Sequence, residues 1–151
     1  MTILSDYINN DYKPLKIDEP IADVQDFFDG VNFSHFPVLE DGIYIGSISR
    51  NELESHDADK LVSDYKYSFD RFFTRENSIL LEVLDVFSKN NANLLPVLND
   101  ENKYLGYYEI EEIIKRGEIR RGEDGPRRDM TEEEKKEFQK KNFWLLMNPW
   151  L

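Results

Sequence analysis

The chain has 151 residues, with 31 acidic and 19 basic side chains that leave a formal charge of −12, and it contains no cysteine. Disulfides, thiolate metal sites and cysteine nucleophiles are excluded, and a polyanion such as nucleic acid or an anionic membrane surface meets a repelling field. A hydrophobic content of 40% with 13% aromatics is too high for a disordered acidic chain, and no apolar run reaches the roughly 20 residues of a membrane helix. The start, MTILSDYINNDYK, lacks the basic and then apolar stretch of a secretory signal, so the expected compartment is the cytoplasm.

In chain order, Leu15 to Ile17 reads as a short edge strand and Glu19 to Phe28 as an amphipathic helix. His35 to Leu53, HFPVLEDGIYIGSISRNEL, then gives a strand, an Asp41-Gly42 turn of the kind that needs positive φ, a second strand from Ile43 to Ile48 and a helix opened by Ser49 with Glu52 three residues on. The same order returns further along. Phe72 and Phe73 form an edge strand; Ile79, Leu80, Val83, Leu84 and Phe87 share one helical face, with Asn77 or Ser78 as cap. Leu94 to Leu98 and Lys103 to Tyr107 make a hairpin around Asn99 to Asn102, and a helix covers Glu109 to Lys115. Pro37 and Pro96 are 59 residues apart and Gly46 and Gly106 are 60 apart, so a unit of about sixty residues occurs twice. The expected class is α+β, two strand-helix-strand-strand-helix repeats with pseudo-two-fold symmetry over 6–62 and 63–116.

Charge changes at the end of the second repeat. Residues 1–116 hold 23 acids and 11 bases, whereas 117–151 hold eight of each. The stretch 117–130 reads as a charged linker, rich in glycine and without apolar period. Thr131 and Glu134 form a capping box for a helical tail over 131–151, stopped by Pro149. Its crowded apolar end either packs back on the body or docks on a partner through Trp144, Met147 and Trp150, residue types common among interface anchors.

Little here resembles an active site. Two histidines, His35 and His56, are not at a metal spacing; Tyr104, Tyr107 and Tyr108 read as sheet packing, and no glycine-rich phosphate loop occurs. No catalytic residue, no metal site and no required cofactor is assigned.

The doubled pattern of an apolar residue, Pro-Val-apolar, a turn, Gly, two apolar residues and a helix start, each copy preceded by an amphipathic helix, resembles a tandem pair of CBS domains, or Bateman module, over roughly Asp6 to Arg116. The resemblance implies two clefts between pseudo-symmetric units, homodimers of modules, no catalysis, and regulation of an associated enzyme, transporter or channel. It also implies an adenosine-containing ligand: AMP, ADP, ATP with Mg²⁺, or S-adenosylmethionine. By position, the first cleft takes Ser34, His35 and Phe36 from the strand and Ser49 with Glu52 from the helix start, the carboxylate facing ribose hydroxyls and His35 a phosphate. Ser49-x-x-Glu52 also reads as a capping box needing no ligand. In the second cleft Leu94, Glu109 and Glu112 occupy the matching positions. Two carboxylates repel phosphate, so that cleft is expected to be degenerate for nucleotides and better suited to a cation or a cationic adenosyl ligand. The alternative reading is a ligand-free dimerisation or interaction module acting through the tail.

Overall fold

In a computed structural model, which describes residues 4–53 and 58–116, the doubled pattern becomes two three-stranded mixed sheets. The elements are β1 (Leu15–Lys16), α1 (Ile21–Asp29), β2 (His35–Glu40), β3 (Ile43–Ser49) and α2 (Arg50–Leu53), then β4 (Thr74–Arg75), α3 (Leu80–Lys89), β5 (Leu94–Leu98), β6 (Tyr104–Glu109) and α4 (Ile110–Lys115). The sheet orders are β1-β2-β3 and β4-β5-β6, with a parallel first pair and an antiparallel hairpin in each. The expected linker 117–130, the tail with Trp144, Met147 and Trp150, and His56 lie outside the described residues.

The local reasons are legible. Asp41 (φ 51°) and Gly42 (φ 81°) both sit at positive φ, as a two-residue hairpin closed by the Glu40–Ile43 pair requires. The longer second turn is folded on Asn99, whose Oδ1 accepts from the amides of Glu101 (2.8 Å) and Lys103 (2.9 Å). Two boundaries differ from expectation. The edge strand of the second unit is Thr74–Arg75, paired with Val97 and Leu98, rather than Phe72–Phe73, whose Phe72 packs in the second core. Neither Asn77 nor Ser78 caps α3: Ser78 Oγ accepts from Arg75 N, and the helix opens at Ile79, whose amide donates to Glu82 Oε1 at 3.1 Å.

The two halves exchange their leading segments. Tyr65 and Phe69, which precede β4, pack in the core formed by Val24, Phe28, Phe36 and Ile48. Tyr7, at the start of the chain, packs in the other core with Val83, Phe87 and Val97. Each segment ends on the edge of the opposite hairpin: Ser47 and Asp70 exchange backbone bonds of 2.7 and 2.9 Å, and Asn9 and Tyr107 exchange bonds of 2.8 and 3.1 Å. This close approach explains the paired glycines. A Cβ on Gly46 would lie 2.8 Å from the Phe69 Cβ, and one on Gly106 would lie 2.6 Å from the Asn9 carbonyl oxygen, at φ values of 140° and 146°.

Candidate functional site

The residues expected to hold a ligand fall in two unequal settings, in the first of which Ser34 and His35 bond to residues of the other repeat. In the first, β2 and β3 pair His35 with Ser49, and Ser34 precedes His35 at the strand entrance. Ser34 and Asn93, its counterpart 59 residues on, bond reciprocally: Ser34 N donates to Asn93 Oδ1 (2.8 Å) and Asn93 N donates to Ser34 Oγ (2.9 Å). Ser34 Oγ also lies 2.8 Å from His35 Nδ1, and His35 Nε2 lies 3.2 Å from Asp70 Oδ2. Phe72 meets the imidazole edge-on at 5.1 Å. His35 is thus buried among protein partners, and burial lowers its pKa while the Asp70 carboxylate pulls the other way.

Ser49 Oγ accepts from Glu52 N at 3.2 Å, one half of a capping box. Between them Arg50 turns back to close α1. Its Nη2 donates to the carbonyls of Phe28 (2.9 Å) and Val31 (2.6 Å), and its Nε donates to that of Phe33 (3.0 Å), tying the end of α1 and the turn after it to the start of α2. Phe36, expected in the first cleft, lies in the core. It has no exposed surface and lies between Phe27 (4.7 Å), Phe33 (5.5 Å) and Tyr107 (5.5 Å).

In the second setting Leu94 takes the position of His35 and is wholly buried in the core of the first half, so it is corrected to a packing residue. Glu109 ends β6 and accepts from Asn9 Nδ2 at 2.8 Å. Burial raises its pKa, with Glu112 adding to the effect. Glu112 accepts from Arg116 Nε at 2.6 Å on the helix surface.

Beside Glu109 opens a cleft of about 230 Å³, walled by Tyr12 and Gly30 to Phe33 from the first half and by Asn93, Glu109 and Glu111 from the second. The Tyr12 ring is 43% exposed and is held by edge contacts with Phe27 (5.4 Å) and Phe33 (5.9 Å). Its amide donates to the Tyr107 hydroxyl at 3.4 Å. An aromatic ring beside carboxylates suits a flat base with hydroxyl or cationic donors and repels dense phosphate. A depression of about 440 Å³ along the outer edge of β1, between Lys13 to Asp18 and Leu39 to Gly42, lies within the first half rather than at the junction. Among the described residues no group of three or more His, Cys, Asp or Glu is placed to hold a metal, and no helix is long and apolar enough to cross a membrane.

Sequence reasoning passed over Tyr12, Asp70 and Asn93. The signal was present: Asp70 follows Asn9 by 61 residues and Asn93 follows Ser34 by 59, so extending the repeat alignment upstream brings both forward.

No curated protein matches the chain. Among solved structures, a CBS domain pair/ACT domain protein from Thermotoga maritima superposes with a TM-score of 0.66 at 17% identity, over 76% of this chain and 95% of that one. CBSX2 in complex with AMP gives 0.64 at 15%, over 80% and 100%. The cytosolic domain of the Mg²⁺ channel MgtE in complex with ATP gives 0.60 at 15%, over 72% and 46%. Likeness at such identity is likeness of fold. The CBS domain family model matches twice, over residues 4–58 and 63–118, and the chain therefore belongs to the CBS domain family as a tandem pair.

Proposed function

We propose that this CBS pair is a non-catalytic regulatory module that senses an adenosine-containing ligand at the junction of its repeats and passes the signal to an associated enzyme or transporter. The observation that carries the reading is the cleft shared by both repeats, with Tyr12 on one wall and Glu109 on the other. Similar folds in complex with AMP and ATP support the ligand class. The acidic wall narrows it: the base lies against Tyr12, ribose hydroxyls donate to Glu109, and a ligand with little negative charge, such as adenosine, AMP or S-adenosylmethionine, is preferred over free ATP. An ATP ligand would need Mg²⁺ to screen its phosphates from Glu109 and Glu111. The Ser49 to Glu52 helix start is the pseudo-symmetric second place.

Calorimetric titration of the full chain tests this. Saturable binding of an adenosine compound that is lost in Tyr12→Ala and kept in Glu52→Ala places the ligand in the Tyr12 cleft. Loss in Glu52→Ala alone moves it to the other side, and no binding of any adenosine compound overturns the reading.

A further inference from the structure

The polar groups around His35 admit an arrangement of hydrogens in which every donor has an acceptor. Asn93 N–H donates to Ser34 Oγ at 2.9 Å, so the Ser34 hydroxyl has its own proton to place. His35 Nδ1 stands 2.8 Å away and accepts it. The imidazole then carries its hydrogen on Nε2 and donates to Asp70 at 3.2 Å. With His35 neutral every donor of the group meets an acceptor; with His35 protonated the Ser34 hydroxyl hydrogen loses the acceptor it has here. Ser34 and His35 belong to the first repeat, and Asn93 and Asp70 to the second, so the chain of bonds crosses the junction twice.

We propose that His35 is an acid-responsive latch between the repeats: neutral, it closes a chain of hydrogen bonds from Asn93 through Ser34 to Asp70, and protonated, it reverses the Ser34 bond and deprives the hydroxyl hydrogen of its acceptor. A proton on Nδ1 makes the ring the donor: Ser34 Oγ accepts it on its second lone pair beside the Asn93 amide, and the hydroxyl hydrogen must turn away from the ring. The surroundings oppose the charged form. Ser49 faces His35 from β3, and the Phe72 ring covers it from the segment before β4. Tyr44, also on β3, bonds Ser47 Oγ (3.2 Å) and the Phe72 carbonyl (2.7 Å), and burial pushes its phenol up so that it stays neutral. Asp70, whose side chain is half-exposed, is the charged group acting on the ring among the described residues. Asp70 also exchanges backbone bonds with Ser47, so a change at the imidazole reaches the strand edge that joins the halves. Leu94 fills the matching place in the second repeat, so the device exists on one side of the junction. This inference is independent of which ligand, if any, the clefts hold.

Long-range ¹H–¹⁵N NMR of the full-length chain carrying His56→Asn, which leaves His35 as the sole imidazole, reads the tautomer and its titration. The expected result is an Nε2–H tautomer at pH 7.5, a midpoint below the ordinary 6.5, and an Asn93 amide that shifts with the same midpoint. Ser34→Ala removes the hydroxyl proton from Nδ1 and is expected to raise the midpoint. An Nδ1–H tautomer, a midpoint at or above 6.5, or an Asn93 amide indifferent to the titration overturns the proposal. Thermal unfolding gives a second readout. Between pH 7.5 and 5 the native chain is expected to lose a few degrees of Tm more than His35→Leu, which copies the second repeat; equal losses overturn the proposal, and if that variant does not fold the NMR titration decides.

Discussion

Ser34 and Asn93 hold one another across the pseudo-two-fold axis, each backbone amide donating to the other's side-chain oxygen at 2.8 and 2.9 Å. Asn93 Nδ2 adds a bond to the Asn32 carbonyl at 2.7 Å. Asn93→Ala removes an acceptor and a donor at once and leaves the Ser34 amide unpaired in a part-buried site. Such a loss costs about 1–3 kcal/mol. Urea unfolding should show the midpoint falling with the m-value unchanged, whereas a cost below about 0.5 kcal/mol, the range of an ordinary surface change, would contradict the role given to this pair.

The glycines separate a contact from a conformation. Gly106 is at φ 146° and an added Cβ would lie 2.6 Å from the Asn9 carbonyl and 2.7 Å from the Ile8 Cγ2. Gly42 is at φ 81° with nothing within 4 Å. Gly106→Ala is expected to cost several kcal/mol, since the bridging segment must leave the β6 edge, and Gly42→Ala about 1 kcal/mol for the turn conformation alone. Equal Tm losses in the two variants would show that the segment around Asn9 yields freely.

Because the repeats exchange their leading segments, neither should fold alone. Residues 63–118 without the first repeat lose Tyr7, Leu4 and Ile8 from their core, while their own Tyr65 and Phe69 serve the core of the first. Each fully buried large side chain contributes about 1.5–3 kcal/mol, comparable with much of the 5–15 kcal/mol by which a domain is stable. An isolated second repeat is expected to show collapsed amide dispersion by NMR, and a cooperative unfolding transition in that fragment would contradict the exchange.

Glu109 supplies a pH dependence of definite sign. Its folded pKa is raised above the ordinary 4.5 by burial and by Glu112, so the folded chain keeps a proton that the unfolded chain has lost. Its contribution therefore falls as pH rises from below 4.5 through the folded pKa, and the penalty is complete above it. Glu109→Gln keeps an acceptor for Asn9 and removes the charge, so its Tm should exceed that of the native chain at pH 7 and converge with it below about pH 4.5. A variant less stable at pH 7 would mean that the bond from Asn9 outweighs the burial of charge.

The repeat and most of its elements were legible because they rest on local chemistry: Pro37 and Pro96 at matched places, Asp41-Gly42 at positive φ, and the apolar face of α3. The site was legible only in part. Aligning the repeats points to Ser34, Ser49 and Glu109, but Phe36 and Leu94 look the same on a strand whether they line a cleft or face a core, and here both are buried. The partner of His35 was hidden for another reason. Asp70 reaches it through the exchange of leading segments: carrying the repeat alignment upstream matches Asp70 with Asn9, but it does not tell which hairpin edge that segment joins.

Thermal unfolding of the full chain against AMP, ADP, ATP with and without Mg²⁺, and S-adenosylmethionine tests the central claim most directly. A specific ligand at a hundredfold excess over its Kd adds about 2.7 kcal/mol, a shift of several degrees for a chain of this size. The expected result is a saturable rise in Tm with an adenosine compound of low negative charge, abolished by Tyr12→Ala. An unchanged Tm across the whole panel at millimolar concentration would contradict a ligand-sensing junction.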